Sequence, residues 1–105
     1  MEKENKRLIE KMMGFSKLAR QQGVLALEHE IKNERDFFLK VALGLAVEGI
    51  DPETVSSVLR VIAKTENPAG LKSSDRLMII QGIDCIQRGE IPLFDTEVEN
   101  DEQNG

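Results

Sequence analysis

Apolar positions along this chain recur at steps of three and four, the helical interval, in one segment after another. From Glu2 to Gln22, Leu8, Met12, Phe15 and Ala19 fall at steps of four, three and four and so share one helical face. Lys3, Lys6, Arg7, Lys11 and Lys17 fall largely off that face. Such a helix either packs into a core with its basic side solvated or lies on an anionic membrane. Packing is preferred, because Glu4 and Glu10 dilute the basic side and no Trp anchors it. Gly14 weakens the helix interior by about 1 kcal/mol relative to alanine. Gly23 follows two glutamines and precedes a fresh apolar pattern, which predicts a left-handed residue that stops the helix. A second helix is predicted from Val24 to Lys32, turning Val24, Leu27 and Ile31 inward and leaving Glu28 and Glu30 more exposed.

Three more helices follow, each with recognisable ends. Asn33 or Asp36 suits the cap of a helix from Phe37 to Glu48, FFLKVALGLAVE, whose apolar residues run nearly all round it. That pattern predicts the middle of the fold. Gly49 ends it, Asp51 caps the next and Pro52 takes the first helical position, where its missing N–H costs nothing. From Pro52 to Lys64 the inward set is Val55, Val58, Leu59 and Ile62. The stretch from Thr65 to Ser73, with Asn67-Pro68, Gly70 and two serines, predicts a connection. Ser73 or Ser74 is expected to cap a last helix to Arg88, in which Ile79, Ile83 and Ile86 form one stripe beside Met78, Gly82 and Cys85. Gly89 and Pro92 repeat Gly49 and Pro52 at an offset of forty, explained by shared helix-ending chemistry without invoking a repeat. The expected fold is an all-α bundle of four to five short helices over residues 1–94, with a disordered acidic tail over 95–105.

Composition narrows the function. A chain of 105 residues holds one small domain, and four Phe with no Trp or Tyr leave aliphatic side chains to build its core. The formal charge of -5 argues against duplex nucleic acid as a partner for the whole chain. That charge is unevenly spread: residues 1 to 20 carry six Lys or Arg against three Glu, the remainder eight against sixteen Asp or Glu. The single cysteine, Cys85, allows no internal disulfide and no metal cluster and fits a reducing compartment. The apolar runs are too short for a membrane span or a signal peptide, so the expected location is cytoplasmic.

Candidate chemistry is sparse. No phosphate-binding glycine loop, catalytic carboxylate pair or nucleophile-His pair can be assembled, so enzyme activity, cofactors and metals are not expected. His29 lacks partners at the spacing of a zinc-protease motif and reads as a solvated helix histidine. Cys85 reads as a core residue. Phe37 to Glu48, the turn GIDP and Pro52 to Lys64 have the length of a helix-turn-helix, with Ser56, Ser57, Arg60 and Lys64 available to DNA. Glu53 at the start of the second helix and the acidic body both oppose that reading. The more promising feature is the corner KLARQQGVLALE, Lys17 to Glu28, which sets Arg20 and Glu28 on either side of Gly23. A guanidinium supplies no general base, so opposite charges flanking a corner suit protein docking better than catalysis.

The segments ARQQGVLALEHEI and FFLKVALGLAVEGIDPETVSSVL resemble the cytoplasmic region of the MotA family of flagellar stator subunits, in which A-R-x-x-G-L-L-A-L-E precedes an apolar helix and D-P-E. LMIIQGIDCIQRGEIP resembles the segment after that family's last membrane helix. From the first to the last they span about two thirds of the chain, in the family's order. The resemblance implies that Arg20 and Glu28 contact complementary charges on the rotor switch protein FliG at the inner face of the inner membrane. Lys17, Glu30 and Lys32 lie near enough to contribute, although the motif assigns them no role. Other stator subunits, or the chain itself, are further expected partners. The family's four membrane helices have no counterpart here, and Glu66 to Ser74 join the cytoplasmic pieces directly. By this reading the chain conducts no ions by itself, whether it is an excised module or a free-standing relative. The runner-up is a helical scaffold or self-assembling adaptor using the apolar stripe of residues 8 to 19 or 79 to 86.

Overall fold

The computed structural model describes residues 2–65 and 73–93, with side chains from residue 6 to 64 and from 73 to 93. Helix α1, Glu2–Gln22, forms over the predicted stripe, and Leu8, Met12, Phe15 and Ala19 are all buried. Gly23 ends it with φ 94° and ψ 156°, so the stop is made by a positive-φ glycine in an extended rather than a left-handed helical conformation. The expected single helix from Val24 to Lys32 is two elements. Val24–Leu27 winds as a 3-10 turn, and α2, Glu28–Asn33, continues as an α-helix. The tighter winding follows from the extended glycine, whose carbonyl accepts from Ala26 N (3.1 Å), an i to i+3 bond. Leu27 is fully buried and pins this segment, while Val24 and Ile31 are half-buried.

Asp36 caps α3, Phe37–Val47, by accepting from Leu39 N at 2.9 Å, whereas Asn33 instead donates its amide to the His29 carbonyl. Gly49, at φ 82°, closes α3 with Gly49 N to Ala46 O and Ile50 N to Leu45 O, the paired bonds of a Schellman motif. Gly89 repeats the device at the end of the last helix, with Gly89 N to Ile86 O and Glu90 N to Cys85 O. The offset of forty thus has the physical basis assigned to it. Asp51 caps α4, Pro52–Thr65, accepting from Thr54 N (3.0 Å) and Thr54 Oγ1 (2.7 Å). The last helix, α5, runs over Ser73–Arg88. Ser73 and Ser74, expected to cap it, are its first two helical residues, so the cap falls one position earlier; the connection around Asn67-Pro68 and the acidic tail fall outside the described residues.

The core is aliphatic, as the composition requires, and its fully buried members include Met12, Leu27, Leu39, Leu43, Leu59, Ile79 and Ile83. The central position predicted for α3 is shared with α5, which packs against α1, α3 and α4 and buries Ile79, Ile80, Ile83 and Ile86. Phe37 is 65% exposed, so α3 buries one side fully and the other in part. On α4 the inward set is Val55 and Leu59, with Ile62 half-buried; Val58, predicted inward, lies at the edge of the stripe and is 38% exposed. No helix among the described residues is long and apolar enough to cross a membrane.

Candidate functional site: a charged corner

The corner is built from its buried residues outward. Ala19 and Leu27, on either side of Gly23, are both core members, so the chain turns with its two flanks fastened to the same interior. Gly23 N still donates to Ala19 O at 2.8 Å, which keeps the last turn of α1 intact up to the bend. Arg20 stands exposed on that turn, and its Nε donates to Ser16 Oγ at 3.3 Å. Ser16 is 1% exposed, so a buried hydroxyl one turn earlier holds the base of an exposed guanidinium. Glu28 opens α2 and is exposed. Its carboxylate suits the electropositive start of a helix, as Lys32 suits the end. Among the described residues no ion pair joins Arg20 to Glu28. Lys17 and Lys32 are exposed and Glu30 is half-buried, so the five charges of the corner differ in how far they project.

Two polar ties that the sequence did not disclose set the position of this corner. Glu34, whose side chain is 4% exposed, pairs through Oε1 with Lys11 Nζ (2.9 Å) and accepts Asp36 N at Oε2 (3.0 Å). One carboxylate therefore ties α1 to the turn between α2 and α3. Gln87 of α5 donates Nε2 to the Ile50 carbonyl at 2.6 Å and so fastens the α3–α4 turn. Both ties join residues far apart in sequence, and no local pattern signals them. Beside the corner, a cleft of about 490 Å³ opens between Gly23, Leu25, Val47, Ile50, Pro52 and Gln87. Leu25 is 67% exposed at its rim.

The remaining candidates are placed without being brought together. His29 is exposed on α2, while Ser57, Arg60 and Lys64 are exposed on α4 with Glu53 at its start. Cys85 is half-buried, and burial first, then Glu90 and Asp84, pushes its thiol above the ordinary range. Among the described residues no three His, Cys, Asp or Glu side chains are placed to hold a metal ion. The apolar stripes offered for self-assembly are core: Leu8, Met12, Phe15 and Ala19, and Ile79, Ile83 and Ile86, are all buried and face neighbouring helices. That form of the scaffold reading is therefore withdrawn, because a stripe consumed by folding cannot also cover a second molecule.

Comparison with known proteins finds a stretch of 52 residues, half of this chain, that is 35% identical to Motility protein A of Borreliella burgdorferi. The chain spans about a fifth of that protein's length (20%). No protein-family profile matches the chain. No solved structure matches it.

Proposed function

We propose that this chain is a non-enzymatic docking module of the flagellar motor, similar to part of the stator subunit, that engages a rotor switch protein of the FliG type through Arg20 and Glu28. The likeness of half the chain to Motility protein A supports a motor-related role. The observation that carries the contact is the corner itself: two exposed, opposite charges on either side of Gly23, one braced by a buried serine and neither paired with the other. Fastening both flanks to one core removes much of the ordering cost of presenting the charges, which otherwise consumes binding energy. Each exposed ion pair across such a surface contributes only about 0–1 kcal/mol, so the contact gains orientation and fast encounter more than affinity. A motor that steps along a rotor requires contacts that form and release quickly. Lys17, Lys32 and the half-buried Glu30 extend the same field and tune its strength.

The test is charge reversal. Arg20→Glu removes one attraction and adds one repulsion, which lowers affinity for a FliG-type rotor protein by about 1–2 kcal/mol at low salt, or about five- to thirtyfold. A reversed charge on the rotor protein restores part of the loss. Titration calorimetry on the folded mutant reads both, and an unchanged affinity would discard the contact.

A further inference from the structure

The corner carries more than its two charges. Among the exposed large apolar side chains of the described residues, Leu25 alone lines the cleft of about 490 Å³ beside Gly23, and it stands at the rim, 67% exposed. An aliphatic side chain left in water forgoes the burial that the core gives Leu27 two residues later. The winding of the chain sets what surrounds it. Side chains three apart eclipse in a 3-10 turn, and Glu28 N donates to Leu25 O at the end of this one, so Leu25 and Glu28 share a side. Arg20 lies on the other flank, in the last turn of α1, with its Nε held by Ser16. Among the described residues neither Arg20 nor Glu28 enters an ion pair. The cleft itself has apolar walls in Val24, Val47, Ile50 and Pro52. Its volume falls within the range of about 300–1,000 Å³ that holds whole small ligands, so it admits a leucine side chain. One patch thus combines an apolar knob, an apolar hollow beside it, a cation before the knob and an anion after it.

We infer that the occupant of this cleft is Leu25 of a second copy of the chain, in a two-fold dimer that also pairs Arg20 of each copy with Glu28 of the other. A two-fold contact uses the same patch twice, so whatever one residue meets on the partner, its equivalent must meet in return. A knob and a hollow side by side meet that condition, because each copy can fill the other. Opposite charges on either side of the knob meet it as well. When two corners cross antiparallel about an axis beside Leu25, the Arg20 end of each lies against the Glu28 end of the other. A second copy therefore supplies all four features at once. The patch is small, and a corner with one cleft belongs to the class of contacts below about 1,200 Å² in total, which are weak and transient. Pairing is accordingly expected at roughly 0.1–1 mM chain. Its consequence is regulatory: a paired chain has both corner charges covered, so crowding of copies withholds the corner from any other charged surface.

The inference goes beyond the docking reading, and its test needs no rotor protein, so the two stand or fail apart. Sedimentation equilibrium is run on the full chain from about 20 μM to about 1 mM at about 50 mM salt, under reducing conditions that keep Cys85 from bridging two copies. The wild type passes from monomer towards dimer across that range. Amide shifts followed on dilution by nuclear magnetic resonance move from Arg20 to Glu28 and from Val47 to Ile50. Leu25→Asp, at an exposed site outside the core, leaves a folded monomer. Arg20→Glu and Glu28→Arg each turn two attractions per dimer into two repulsions, and each weakens association by about tenfold or more. Mixing these two variants in equal amounts restores association, because every pair in the mixed dimer is again of opposite sign. Placing both substitutions in one chain restores it too, while presenting reversed charges to an unaltered FliG-type protein. A chain that stays monomeric to about 1 mM, association that survives Leu25→Asp, or a mixture no more associated than its components overturns the inference. So do dilution shifts centred on Val58 and Val61 of α4, or cleft residues that respond only to added rotor protein.

Discussion

Removing the Glu34 carboxylate is expected to loosen α1 from the turn that leads into α3, and with it the frame that holds the charged corner. The side chain makes two bonds of different character. Its Oε2 accepts Asp36 N at 3.0 Å in a part-buried site, and leaving such an N–H without an acceptor costs about 1–3 kcal/mol. Its Oε1 meets Lys11 Nζ at 2.9 Å, but the Lys11 side chain is 49% exposed and rehydrates when released, so that pair contributes about 0–1 kcal/mol. Glu34→Ala loses both and should destabilise the fold by about 2–3 kcal/mol. Glu34→Gln keeps an oxygen for Asp36 N, gives up only the charge and should cost about 1 kcal/mol or less. Urea unfolding at 25 °C separates the two: with a slope of about 1–3 kcal/mol/M, the alanine variant's midpoint falls by roughly 1–2 M and the glutamine variant's by a fraction of that. High salt narrows the gap between wild type and Glu34→Gln without rescuing Glu34→Ala. Equal losses for the two variants would refute the division of roles, and no loss for alanine would refute the latch itself.

The other expectations concern backbone, pH and thiol chemistry. Gly14 sits in the interior of α1 with open space around its Cβ position, so Gly14→Ala should raise stability by about 0.5–1 kcal/mol in the same assay. Gly23 has equal room but φ 94° and ψ 156°, a conformation nearly confined to glycine, so Gly23→Ala should cost about 1–3 kcal/mol and alter the amide shifts of the 3-10 turn. The Thr54 hydroxyl, followed by the Thr54 backbone N–H, holds the Asp51 carboxyl below its ordinary value. A carboxyl lowered on folding stabilises above its unfolded pKa and loses that contribution as pH falls through the folded one. The margin of wild type over Asp51→Asn should therefore be flat near neutrality, begin to fall near about pH 3.9 and be lost as pH drops through the lower folded value, as thermal melts across pH will show. Burial raises the Cys85 thiol, so its reaction with a disulfide reagent near pH 7.5 should be slower than that of a small free thiol and accelerate as pH rises. A rate equal to the free thiol's would contradict the half-buried placement.

Local pattern alone determined a good part of this protein. The 3.6-residue period of Leu8, Met12, Phe15 and Ala19, the caps at Asp36 and Asp51 and the stops at Gly49 and Gly89 are written in neighbouring residues, because helix faces and ends are set by interactions spanning four or five positions. The corner at Arg20, Gly23 and Glu28 was legible for the same reason. What the tertiary structure decided is everything that depends on distant partners. The burial of Glu34 against Lys11, the Gln87 bond to Ile50, the share of the centre taken by α5 and the outward turn of Val58 all follow from which helices meet, and at what angle. The same packing turned the two apolar stripes from surfaces into core, and left the charges of the corner outside, since ions without buried partners stay in water while aliphatic side chains leave it.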